Sequence, residues 1–180
     1  MLLRSRDKRY NRCMEKIDFK KLTSEFGFDG DIDDSDKSRT VYSHDASLFQ
    51  IVPRVIVFPK NAKDVGAVVQ FVNKYREVDP TLAITPRSAG TDMSGGAIGN
   101  SIIMDFTKYM FAIKKVTPDY AIVEPGCFYR DFDVATRAID RIMPTYTASR
   151  DYCAVGGMVA NNAGGEKASN TAKPKTGSKN

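Results

Sequence analysis

The amino-acid sequence predicts an α+β fold, for three reasons. A β-branched run at residues 55–58 leads through a helical pattern to a second extended stretch at 82–85. Two more short apolar runs follow at 101–106 and 120–124, the latter stopped by Pro125-Gly126. Two glycine-rich segments, 86–96 and 156–165, each come after an extended apolar stretch. With 180 residues and 42% hydrophobic content, the chain can bury one core and is short for two.

Residues 1–39 alternate charged and single apolar positions. Ile17, Phe19, Leu22, Phe26 and Phe28 fit a short helix and a loop laid on a core built elsewhere, while the charge density reads as a solvated leader. The texture changes at Arg54. Val55-Ile56-Val57-Phe58 reads as a strand that ends at Pro59, after which Asn61 can cap a helix with Asp64 at its third position. Val65, Val68, Val69 and Val72 recur on one face of that helix. Leu82-Ala83-Ile84-Thr85 closes a strand-helix-strand unit expected to carry a parallel pair. Residues 101–106 and 120–124 read as a third and a fourth strand. Phe132, Ala135, Ile139 and Ile142 form the face of a second helix, which Pro144 ends. A loop through Thr145, Thr147 and Ser149 leads to Val155 and the second glycine-rich segment. After Ala168 no large apolar residue remains, so 169–180 is expected to be disordered.

The net charge of +5 suggests nucleic acid at first sight. Lysines and arginines crowd the first 21 residues and the last eight, however, and Asp29, Asp31, Asp33, Asp34 and Asp36 separate the basic start from a near-neutral centre. That distribution argues against a continuous basic groove, leaving RNA binding as the weaker rival and no nucleic-acid partner expected. Cys13, Cys127 and Cys153 are odd in number, far apart and without CxxC spacing, so neither a disulfide framework nor a metal site is indicated. A charged start and the lack of any run approaching a membrane span predict a cytoplasmic chain without a transmembrane segment.

Glycine loses the most conformational entropy on ordering, so glycine clusters need a cause. A turn free of Cβ atoms lets consecutive backbone N–H groups converge on an anion such as a diphosphate. Tight turns and close packing are the alternative cause. Gly90, Gly95 and Gly96 do not match GxGxxG, and no Gly-Lys-Ser/Thr is present, which disfavours both common nucleotide folds. What remains is a loop of backbone donors, assisted by the hydroxyls of Ser88, Thr91 and Ser94, with Asp92 facing away from the anion. Gly156 and Gly157 precede Met158-Val159-Ala160, where a short helix would present its free N–H groups to the same ligand and end at Gly164-Gly165. His44, Cys153, Asp105 and Glu124 read as structural residues, and no catalytic residue is identified.

Residues 42–167 resemble the start of the FAD-binding domain of the FAD-linked oxidases, the vanillyl-alcohol oxidase and p-cresol methylhydroxylase (PCMH) group. Glycolate oxidase and D-lactate dehydrogenase subunits are nearest in flavour. The resemblance is carried by Tyr42-Ser43-His44-Asp45-Ala46-Ser47, Pro53 to Pro59 with Asp64-Val65, residues 86–96, Glu124-Pro125-Gly126 and residues 156–165. It implies a PCMH-type FAD-binding domain over 41–168, incomplete at its C-terminal end, after a basic and acidic leader at 1–40 and before a polar tail at 169–180. It further implies that Arg87, Ser88, Ala89, Gly90, Thr91, Asp92, Ser94 and Gly95 wrap one part of FAD, with Gly156, Gly157, Val159, Ala160 and Asn161 along the other. Some members attach FAD through Arg-x-Gly-Gly-His; here Thr91 takes the histidine's place, which implies noncovalent FAD. The implied activity is hydride transfer to FAD from a 2-hydroxy acid of the glycolate or D-lactate type. Substrate and electron acceptor would be bound by regions not in this polypeptide. The alternative is a non-catalytic flavin- or nucleotide-binding module, or half of a split flavoprotein.

Overall fold

The computed structural model describes residues 17–165, among which lie five helices and six strands. Strand β1 (Asp31–Asp33) pairs antiparallel with β2 (Val55–Phe58). Both β2 and β3 (Ile84–Arg87) pair in parallel with β4 (Ile102–Asp105), giving a sheet in the order β1-β2-β4-β3. The strand-helix-strand unit thus carries parallel strands, but the third strand is inserted between them. Composition explains the insertion. Ile102, Ile103, Met104 and Asp105 are all buried, as a central strand requires, whereas Pro86 lacks an N–H and is tolerated in β3 at the sheet edge.

Helix α3 (Ala62–Tyr75) begins where sequence places it. Asn61 Oδ1 accepts the Asp64 N–H at 3.1 Å, and the buried Asp64 carboxylate accepts the N–H groups of Lys60 at 2.8 Å and Asp29 at 3.1 Å. Its buried stripe is Ala67, Val68, Phe71 and Val72, so the core face is rotated from the valine pattern and Val69 points outward. Phe71 draws the helix round, with Phe26 edge-on to it at 5.7 Å and Phe19 at 6.0 Å.

The segment read as a solvated leader is, from Ile17 on, packed on that core. Helix α1 (Lys21–Phe26) buries Leu22 completely, Phe28 follows it inward, and α2 (Asp36–Val41) is capped by Ser35. Residues 1–16 and the tail at 169–180 lie outside the described residues. Val55, Val57, Ile102 and Met104 face α1 and α3, while Ile56, Phe58 and Ile103 pack beneath Tyr42 on the other face.

A second sheet pairs β5 (Ile113–Val116) antiparallel with β6 (Ala121–Val123). Sequence shows only the latter strand, because Lys114-Lys115 breaks the apolar alternation of the former, and an irregularity between Ile113 and Lys115 absorbs the break. Helix α4 (Tyr129–Arg137) is shorter than expected. It is stopped by Asp140 at φ 54°, well before Pro144, which leaves Ile139 and Ile142 exposed. Helix α5 (Val155–Ala160) contains both Gly156 and Gly157 and closes at Asn161-Asn162, with Asn162 at φ 45°, not at the later glycine pair.

Candidate functional site

Strand β3 delivers the chain into the first glycine-rich segment at the C-terminal end of the sheet's parallel strands, the side where such strands bind ligands. Phe128 and Ala154 form an antiparallel bridge that carries α5 up to the same place. Between them lies an open cavity of about 320 Å³. Its walls are residues 86–93, Gly96 and Ala97 on one side, and Thr147, Ser149, Cys153, Ala154, Gly157, Met158, Ala160, Asn161 and Ala163 on the other.

Of the residues assigned from sequence, Arg87 through Asp92, Gly157, Ala160 and Asn161 line this cavity. Ser94, Gly95, Gly156 and Val159 do not. Gly95 backs onto the Phe49 ring, Val159 is exposed, and Gly156 is packed against Pro125 and Ser88. Thr147, Ser149 and Cys153 line the cavity without having been assigned to it. The signal for them was the hydroxyl-bearing loop ahead of the second glycine-rich segment.

The backbone N–H groups of Ala89, Gly90, Thr91 and Asp92 have no hydrogen-bond partner among the described residues. They form a short run of free donors on the cavity wall, which is the property an anion cradle needs. Gly90 permits the run by adopting φ +67°, and the Arg87 guanidinium packs against it. That guanidinium is engaged elsewhere. It donates to the carbonyls of His44 at 2.7 Å and Ala97 at 3.2 Å and lies 5.1 Å from the centre of the Tyr42 ring, so Arg87 braces the loop through structure.

Two expectations change. The start of α5 does not offer its donors freely, since the N–H groups of Val155 and Gly156 are taken by the carbonyls of Cys127 and Pro125; only that of Gly157 is unpartnered among the described residues. Two of the three assisting hydroxyls also turn inward, Ser88 to the Pro125 carbonyl at 3.1 Å and Ser94 to Asp92 at 2.7 Å. The Asp92 carboxylate folds back on its own loop, and the Ser94 hydroxyl and Gly96 N–H hold it below the usual carboxylate range.

The remaining candidates are structural. Asp105 accepts the Thr107 N–H at 2.6 Å and its hydroxyl at 2.7 Å, Glu124 pairs with Lys114, and His44 is exposed. Burial, with Asp105 nearby, pushes the Tyr42 phenol far above its ordinary pKa. Cys153 is buried against Thr147, and burial raises the Cys127 thiol. Among the described residues no group of three or more His, Cys, Asp or Glu side chains is placed to hold a metal ion, and no helix is long and apolar enough to cross a membrane.

A family profile described as an FAD binding domain matches residues 53–173. The chain belongs to the FAD-binding domain family. Its curated relatives include a D-2-hydroxyglutarate dehydrogenase of Escherichia coli (strain K12), 26% identical over 152 residues, covering 83% of this chain and 15% of the relative. Another is the glycolate oxidase subunit GlcD of Bacillus subtilis (strain 168), 28% identical over 138 residues, covering 74% of this chain and 28% of the relative. The chain therefore spans less than a third of the length of either. Among solved structures, an alkyldihydroxyacetonephosphate synthase superposes with a TM-score of 0.67 at 19% identity, over 83% of this chain and 31% of that one. p-Cresol methylhydroxylase superposes with a TM-score of 0.62 at 20% identity, over 80% of this chain and 28% of that one. The fold is the PCMH-type FAD-binding fold, and FAD is the cofactor of the family. The cavity suits the cofactor's diphosphate, with free N–H groups along one wall and a Cβ-free approach at Gly157.

Proposed function

We propose that this chain forms the diphosphate-holding part of a noncovalent FAD site in an oxidoreductase acting on a 2-hydroxy acid. One observation carries the reading: the cavity joins the two glycine-rich segments and has N–H groups unpartnered among the described residues, from Ala89 to Asp92 on one wall and at Gly157 on the other. The printed names of the relatives, D-2-hydroxyglutarate dehydrogenase and glycolate oxidase, support the substrate class. Noncovalent attachment is supported by Thr91, whose side chain cannot make a histidyl-type bond.

When bound, FAD supplies the hydride acceptor. The residues of this chain bind and orient. Donors at Ala89 to Asp92 and Gly157 would hold the cofactor's diphosphate, Arg87 and Ser88 keep the loop in shape from behind, and Met93 and Met158 flank the cavity with apolar surface. Under the same reading the chain works in the cytoplasm, as its buried free thiols Cys127 and Cys153 suggest. The substrate and electron acceptor are then bound by parts of the protein beyond this chain.

The test is the visible absorption spectrum of the purified, desalted chain with and without added FAD, followed by acid precipitation. Bound flavin that leaves the pellet on acidification is the expected result. A chain that takes up no flavin at any FAD concentration overturns the reading, and colour retained in the pellet overturns the noncovalent attachment.

A further inference from the structure

The two walls of the cavity are tied together by a side-chain bond that diphosphate binding does not use. Asn161 Nδ2 donates to Asp92 Oδ1 at 3.3 Å, linking the end of α5 to the first glycine-rich segment. The other carboxylate oxygen, Oδ2, accepts the Ser94 N–H at 3.1 Å, the Ser94 hydroxyl at 2.7 Å and the Gly96 N–H at 2.6 Å. One carboxylate therefore shapes the 92–96 turn and holds it against α5. The other ties between the walls run through a shared neighbour, the Pro125 carbonyl, which receives the Ser88 hydroxyl and the Gly156 N–H.

A carboxylate is an unfavourable neighbour for phosphate oxygens, because like charges repel strongly at short range where water is thin. Four donors converging on Asp92 turn its charge onto the protein, and a bond to an ionised acceptor is stronger than a neutral one. Asp92 is thus compatible with an anion site only while it is held, and Asn161 is the part of that hold which comes from the opposite wall.

We propose that Asp92 and Asn161 form a clasp that sets the separation of the two glycine-rich segments, making both of them positioning residues for the donors at Ala89 to Asp92 and at Gly157. The clasp rests on the FAD reading given above. It acts through the backbone groups on either side and not by touching the ligand's reacting atoms.

The experiment compares the full chain with Asn161→Asp and with the exchange Asp92→Asn plus Asn161→Asp, reading FAD affinity by flavin fluorescence and backbone amide shifts without FAD by NMR. Asn161→Asp sets two carboxylates face to face and should weaken FAD binding about tenfold, while the exchange restores a bond with donor and acceptor reversed and returns affinity to within about threefold of the original. The exchange carries the net charge of the original chain, one negative charge fewer than Asn161→Asp, so the comparison that isolates the bond from charge is the exchange against the original chain. An exchange variant that binds FAD no better than Asn161→Asp overturns the clasp. If the unaltered chain binds no FAD, the proposed function fails and the amides decide the clasp by themselves. Shifts across residues 89–96 in Asn161→Asp that revert in the exchange uphold it, and shifts confined to the neighbours of Asn161 overturn it.

Discussion

A Cβ on Gly156 would lie 2.7 Å from the Pro125 carbonyl oxygen and 2.9 Å from Ser88 Oγ, so Gly156 sets how closely α5 can approach the turn beneath the cavity. Gly157, one residue on, has nothing within 4 Å of the same construction. The two adjacent glycines therefore do different work. Gly156→Ala should lower stability by about 1–3 kcal/mol through overpacking against backbone that has little room to move. Gly157→Val should fold as well as the original, put its side chain into the cavity and abolish flavin uptake. Thermal melts and FAD titrations of the two variants separate these effects, and equal melting points would contradict the assignment for Gly156.

Gly66 lies inside α3 with open space around it and no unusual backbone angle. Gly66→Ala should stabilise the chain by about 0.5–1 kcal/mol, because alanine loses less backbone entropy on entering a helix. A denaturant midpoint that falls would mean that this face of α3 is covered by something.

Ile103 sits on the central strand with no exposed surface, whereas Ile122 on β6 is 48% exposed. Ile103→Ala should cost about 2–5 kcal/mol, since neighbours pressed from both faces of the sheet cannot collapse into the space. Ile122→Ala should change stability by about 0.5 kcal/mol or less. Urea denaturation of both variants provides the check.

Arg54 donates to the Asp79 carboxylate, whose side chain is almost wholly buried. Burial alone would raise the Asp79 pKa, but the hydroxyl and N–H of Thr81 together with Arg54 outweigh it and hold the carboxyl below its ordinary value. A depressed folded-state pKa means that this stabilisation is complete above the unfolded value of about 4 and is lost as pH falls through the lower folded value. Arg54→Ala should cost about 1–3 kcal/mol at neutral pH by leaving a buried acceptor short of a donor, and its stability should fall less steeply between pH 4 and 2 (about the range in which carboxylates titrate). Parallel slopes for the two proteins over that range would rule out Asp79 as a contributor to the acid limb.

The parts of the fold written in local chemistry were legible. Val55 to Phe58, the Asn61 cap with Asp64 and the run from Ile102 to Asp105 each carry their pattern within a few residues. What could not be read depended on distant partners. The insertion of β4 is decided by which strand can be buried on both faces, and the strand at Asp31 to Asp33 exists because β2 offers it an edge. At the site, both glycine-rich segments were visible, but how their donors are assigned was not. Whether the hydroxyl of Ser88 or the N–H of Gly156 is free depends on the Pro125 carbonyl, which is 37 residues from Ser88 and similarly far from Gly156, and no local pattern reveals it.

The insertion of β4 between β2 and β3 also bears on how the chain is made. As the polypeptide leaves the ribosome, β2 and then β3 emerge before the strand that joins them, and each must wait with its parallel edge open until residue 105 is clear. The first glycine-rich segment lies between β3 and β4, so it cannot take its final shape before that moment either. The first wall of the cavity thus takes shape in one step, when the central strand closes the gap, and the second wall follows only once residues 147–163 have emerged. A nascent chain paused just short of that strand carries two unpaired strand edges, which is where chaperone engagement is most needed.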